Sequence, residues 1–183
     1  MSRNNDPQRY GTVAQALHWA IVALLIVQFT LAALADELPR GAEKLQLVTQ
    51  HKSFGITILA LAIVRIVWRL LNRPPPLPPM PHWQRVAAQC SHWGMYVLLL
   101  VMPLTGWMYS SSADRAVKWF GVYQLPDLVG PSKPLNDLMH ELHEALATAL
   151  LVLVTVHVAA ALKHQFWNRD GLLWRMLPSS RRS

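Results

Sequence analysis

Four histidines, His18, His51, His143 and His157, hold the chemistry that this sequence can do. His143 and His157 share one apolar stretch, HELHEALATALLVLVTVHVAAALK, which runs from His140 to Lys163 and is long enough to cross a bilayer at roughly 20 residues per span. They are 14 positions apart (157 − 143). At ~100° and ~1.5 Å per residue, that step returns to within about 40° of the same helix face and advances about 21 Å. One face therefore presents two imidazoles, one toward each end of the span. Ionisable side chains inside a membrane are expensive and usually serve function. Neutral imidazole is also the commonest metal ligand among side chains. Two imidazoles from facing helices suit six-coordinate iron in a tetrapyrrole, leaving no open position and favouring electron transfer over oxygen binding.

Four apolar segments must position these groups: Ala14–Leu34, Val48–Leu71, Ala87–Tyr109 and His140–Lys163. The fold class expected is all-α, an integral-membrane four-helix bundle formed by residues 1–183 as one domain. A soluble bundle would need a polar face on every helix, and Ile21–Val27 and Leu146–Val156 offer none. The first segment lacks the small-residue cleavage site of a signal peptide. The net charge of +7 does not point to nucleic acid, because it is distributed by side. Arg3, Arg9, Arg69, Arg73, Arg85, Lys163, Arg169, Arg175, Arg181 and Arg182 fall on the side of the termini. The opposite side mixes Arg40, Lys44, Lys52, Arg115, Lys118 and Lys133 with eight acidic residues. The positive-inside rule then places both termini in the cytoplasm. With Cys90 as the single cysteine, an intrachain disulfide and covalent attachment of a c-type haem are excluded.

Chain direction sets the depth of each histidine. His18 lies a turn inside the cytoplasmic end of the first helix, and His51 a turn inside the periplasmic end of the second. The fourth helix runs inward, so His143 matches His51 and His157 matches His18. Two stacked b-type haems follow from this pairing. A lone histidine near a helix end is more often a hydrogen-bonded packing residue than a ligand, so the weight rests on the agreement of all four. His92 on the third helix is the best rival to His18. His140 is off the His157 face, and His82 stands in a proline-rich loop. His164, seven positions after His157, would sit about 10 Å nearer the cytoplasm, either as a proton-handling group at a quinone site or as an interfacial histidine. Gly55, one turn after His51, would let a macrocycle lie close, although small residues also serve helix packing. Arg65, 14 positions after His51, could pair with a propionate or snorkel to the cytoplasm.

Among the connectors, PPPLPPMP (Pro74–Pro81) should run extended, and Pro103–Gly106 should be an irregularity covered by neighbouring helices. The longest connector, Ser110–Met139, has a centre at Ala113–Tyr123 that reads as a short interfacial helix or an irregular loop. Phe166–Trp174 reads as a cytoplasmic aromatic anchor.

In chain order, RYGTVAQALHW, QHKSFGI…IVRIVWRL followed by prolines, HWGMYVLLLVMPLTGW, ELHEAL…VHVAAALKHQFW and LLWRMLP resemble the bacterial cytochrome b561 family over nearly the whole chain. That family is similar in fold to the di-haem cytochrome b subunits of membrane-bound formate dehydrogenases and nickel–iron hydrogenases. The resemblance implies haem ligation by His18, His51, His143 and His157. It also implies electron passage, in the bacterial inner membrane, between a periplasmic donor and the quinone pool. Some members look like superoxide oxidases that reduce ubiquinone. Lys52 beside His51, together with Arg115, Lys118 and Lys133, would then steer the anion. Some members carry lysines in the proline-rich loop beside a quinone; here that loop offers only His82. Two other functions are compatible with the sequence: a cytochrome b subunit of a larger dehydrogenase, and a haem-free, histidine-lined transporter.

Overall fold

The computed structural model describes residues 9–76 and 79–177. Arg3, Arg181, Arg182 and Leu77–Pro78 of the proline-rich stretch lie outside the described residues. Four long helices are present: α1 (Thr12–Glu37), α2 (Ala42–Leu71), α3 (His82–Ser111) and α4 (Lys133–Lys163). All four are long and apolar enough to span a membrane. Each helix runs past the apolar segment that announces it, because the polar flanks are good helix formers. The extension is seven residues at the start of α4, where Ser132 caps the helix by accepting the Leu135 amide (3.4 Å) and Pro134 occupies the first turn. Pro at that position loses no intrahelical bond. His82, expected in a loop, is instead the first residue of α3 and is exposed.

Helices α1 and α2, α3 and α4, and α2 and α3 pack along each other, whereas no comparable packing joins α4 to α1 or α2 among the described residues. Ile21, Ile58, Ala62, Leu99, Met102 and Leu150 form the central core. Helix α4 buries only Met139 and Leu150, so protein covers little of its apolar surface. Pro103 lies inside α3, where it removes a donor to the preceding turn, but the helix runs on to Ser111 without a break.

At the end of the bundle that carries the termini, the C-terminal segment crosses the start of α1. Tyr10 N–H donates to Arg175 O (3.1 Å) and Trp19 Nε1 to Met176 O (2.8 Å). Arg9 Nη2 reaches Trp174 O and Leu177 O at 2.9 and 3.0 Å. These bonds all go to backbone carbonyls, and they satisfy acceptors at and after the short 3₁₀ helix Leu173–Arg175 that have no longer helix to pair them.

The centre of the α3–α4 connector is not the interfacial helix expected from its aromatics. Strands β1 (Lys118–Trp119) and β2 (Tyr123–Gln124) pair antiparallel as a small hairpin. Phe120 (φ 47°) and Gly121 (φ 72°) both take left-handed backbone at its turn, the signature of a tight primed hairpin turn, which a right-handed helix through these residues would not allow. Ser53, buried on α2, holds the hairpin. Its Oγ accepts the Phe120 amide (3.0 Å) and lies 3.1 Å from Lys118 O, while Trp119 Nε1 donates to Thr57 Oγ1 (3.1 Å). Ser53→Ala is expected to lose about 1–3 kcal/mol of local stability through the orphaned amide. Faster hydrogen exchange at Phe120, with α2 amides unchanged, would show it.

Candidate functional site

The structure brings His51 and His143 together with ring centres 6.2 Å apart, and His18 and His157 with ring centres 6.5 Å apart. These are the two pairs expected from depth. Both bridge gaps that the helix backbones leave open, α2 to α4 in one case and α1 to α4 in the other. All four rings are half-buried.

Helices α1 and α3 orient the pair at the far end. His51 Nδ1 lies 3.3 Å from Gln28 O, and Gln28 Nε2 donates back to His51 O at 3.0 Å. His143 Nδ1 lies 3.0 Å from Met102 O and 3.2 Å from Thr105 Oγ1, and Thr105 Oγ1 itself donates to Met102 O (2.7 Å). A Cβ on Gly106 would stand 2.9 Å from His143 Cε1, so only glycine leaves room for the ring. A carbonyl at Nδ1 fixes that nitrogen as the donor and leaves Nε2 as the lone-pair nitrogen, the arrangement that metal-ligating histidines use.

At the end of the termini the surroundings differ. His18 Nδ1 is buried with no hydrogen-bond partner among the described residues, unlike Nδ1 of His51 and His143. His92 approaches His157 to 5.6 Å between ring centres. An imidazole nitrogen stands about 2 Å from a first-row metal, and the ring centre lies roughly 1 Å behind it, so two imidazoles sharing one metal are about 6 Å apart. All three pairs, at 6.2, 6.5 and 5.6 Å, lie within about half an ångström of that span.

The remaining site candidates are placed as follows. A Cβ on Gly55 would meet Gln28 Nε2 at 3.2 Å, so the group its small size admits is the glutamine that clamps His51. The Arg65 guanidinium stacks on Tyr96, 5.7 Å from the ring centre. His164 is buried at the start of a π-helical turn (His164–Asn168), where Nδ1 bonds Asp170 Oδ2 and lies 3.2 Å from Asn168 Nδ2. Such turns recur at functional positions. His140, at the surface, pairs with Glu144 at 3.3 Å. Sequence reasoning missed Gln28, Met102, Thr105 and Gly106 as partners of the histidines. The signal for Gln28 was a lone amide inside IVALLIVQFTLAAL; Met102 acts through its backbone and leaves no signal in the side chains.

These residues fit haem. Among the described residues no three His, Cys, Asp or Glu side chains converge as a metal cage would require. Each site offers two opposed imidazoles, the complement of a ring that supplies the four remaining donors itself. At the far-end pair, the carbonyls at Nδ1 of His51 and His143 and the socket that Gly106 leaves for the His143 ring point the same way.

The prokaryotic cytochrome b561 family model matches residues 9–179. Cytochrome b561 homolog 2 of Escherichia coli (strain K12) is 32% identical to this chain, covering 98% of it and 97% of the relative. Cytochrome b561 homolog 1 of the same organism is 29% identical over 93% of this chain and 97% of its own length. A protein of Yersinia pestis named probable superoxide oxidase CybB is 29% identical over 95% of this chain and 98% of its own. Four membrane-length helices, two opposed imidazole pairs and a family match over nearly the full length agree, and the chain belongs to the prokaryotic cytochrome b561 family of multi-pass, haem b-containing electron-transfer proteins.

Proposed function

We propose that this chain passes single electrons across the bacterial inner membrane, through two haems b, from a periplasmic donor to ubiquinone at the cytoplasmic face. The observation that carries this reading is the separation of the imidazole pairs, 6.2 and 6.5 Å, each wide enough for one hexacoordinate iron. When bound, the two haems supply one-electron redox chemistry at two depths of the same bundle. The chain's own residues do the rest. His51 and His143 hold the periplasmic site, with Gln28 O and Met102 O keeping Nδ1 of each ring as the donor. His18 and His157 hold the cytoplasmic site, and Arg65, stacked on Tyr96 at the same end, is the cation for a haem propionate. His164, tied to Asp170, is the group that moves protons to the quinone oxygens.

The name of the Yersinia pestis relative supports superoxide as the donor. Each superoxide anion gives up one electron and leaves as dioxygen. Two electrons and two protons convert the quinone to quinol. Lys52 beside His51, with Arg115 and Lys118 on the connector, draws the anion toward the periplasmic pair.

A reduced-minus-oxidised spectrum of the purified protein tests this reading. Sharp α and Soret bands are expected, and a pyridine haemochrome assay should give two haems per chain. A colourless preparation would instead make the chain a histidine-lined transporter. Superoxide-driven reduction of a soluble ubiquinone by the isolated chain tests the donor, and inertness with superoxide would remove that part alone.

A further inference from the structure

At the end of the bundle that bears the termini, two guanidiniums stand one turn apart on α2 and share one aromatic ring. Arg65 Cζ lies 5.7 Å from the centre of the Tyr96 ring; Arg69 Cζ lies 5.5 Å from that centre and 5.8 Å from the centre of Trp93. They face an open cleft whose other walls are Tyr10, Trp68, Asn72 and Met176. Like charges one helical turn apart destabilise each other unless something offsets them. Among the described residues neither arginine makes an ion pair, and Asp170, the one described carboxylate at this end, is taken up by His164 and the Leu172 amide. Stacking occupies the guanidinium face and leaves the N–H edge, the part that grips a tetrahedral anion, to point elsewhere.

Depth selects the anion. Arg69 is two residues from the end of α2, at the depth where a spanning helix meets the headgroups. Trp93, on which its guanidinium also stacks, is exposed, and aromatics of this kind mark the interface. Basic clefts between spanning helices at the cytoplasmic surface suit anionic headgroups.

We propose that this cleft is a binding site for the phosphate of an anionic phospholipid of the cytoplasmic leaflet, gripped by Arg69 and sealed beneath by Arg65, Tyr96 and Trp93. Arg65, at the floor of the cleft, is the cation already given to a haem propionate, so Arg69 is the guanidinium left to the headgroup. From Arg69 the lipid's acyl chains run toward the bilayer centre, and its phosphate supplies the counter-charge that Arg69 lacks among the described residues.

The full-length protein, extracted in mild detergent, is titrated with phosphatidylglycerol and with phosphatidylcholine, and bound lipid is counted by native mass spectrometry. One phosphatidylglycerol per chain is expected to bind at least about tenfold more tightly than phosphatidylcholine. Arg69→Gln should abolish that preference, Arg69→Lys should retain part of it, and Arg85→Gln, an exposed arginine outside the cleft, should leave it unchanged. Competition on the unaltered protein needs no variant to fold. Displacement of the lipid by millimolar inorganic phosphate or glycerol 3-phosphate would assign the cleft to a free phosphate and overturn the lipid; persistence supports it. Equal binding of the two lipids, or an Arg69→Gln protein that binds like the unaltered one, would overturn the site.

Discussion

His157→Ala is expected to cost the protein the haem nearer its termini, taking the haem content from the proposed two per chain to one. The effect is large because His157 is the one member of α4 at that level and two other imidazoles, His18 and His92, both face it. Neither can recruit a replacement on α4, since His164 is turned to Asp170. His143→Ala should do the same to the other haem. The surviving haem should keep its own potential and spectrum, because the two pairs sit about 21 Å apart along α4. The finer distinction comes from His18 and His92. His18 and His92 both face His157, at 6.5 and 5.6 Å between ring centres, and the depth pairing gives the ligand to His18. His18→Ala should therefore empty the site, and His92→Ala should leave it filled with at most a shifted Soret maximum. Haem per chain, measured by pyridine haemochrome on both variants, decides the matter. The opposite pattern would exchange the two ligands and, with them, the assignment of α1 as the wall of that site.

The pairing could be read before any coordinates because it needs only chain direction and a 1.5 Å rise: His51 and His143 meet, as do His18 and His157, once four spans alternate. Membrane helices make this kind of inference safe, since every backbone group must be satisfied within its own segment. What the sequence left hidden depends on lateral contact. Nothing in HKSFG announces that Ser53 faces the connector, so the hairpin was invisible; its aromatics fit a helix pattern equally well. The carbonyls of Gln28 and Met102 that orient His51 and His143 belong to the backbone, and any residue type could have supplied them. In the sequence Arg65 reads as a propionate partner or a snorkelling cation and Arg69 as one cytoplasmic charge among others; that Tyr96 lies beneath both is a lateral contact that the sequence does not carry.

Gly106→Val is expected to remove the haem of the far-end pair as completely as deleting His143 itself, although it changes no ligand. Gly106 has ordinary helical backbone within α3, so its value is the absence of atoms. An added Cβ would lie 2.9 Å from Cε1 and 3.2 Å from Nδ1 of His143, and neither the ring nor the helix can easily move apart. The ring is held on the same side by Met102 O and Thr105 Oγ1, both on buried residues. Retreat would break those bonds at a cost of about 1–3 kcal/mol and would aim Nε2 away from His51. Alanine at this position should keep the haem but loosen its axial bond, giving a mixed high- and low-spin ferric spectrum and a midpoint potential shifted for that haem alone. Gly94→Ala is the matched control. There the added Cβ meets Leu153 Cδ2 at 3.1 Å, the tip of a side chain that can rotate away, so both haems should remain low-spin. Valine tolerated at Gly106 with two low-spin haems would mean that His143 is not held against α3 in the loaded protein, and the socket formed by Met102, Thr105 and Gly106 would lose its function.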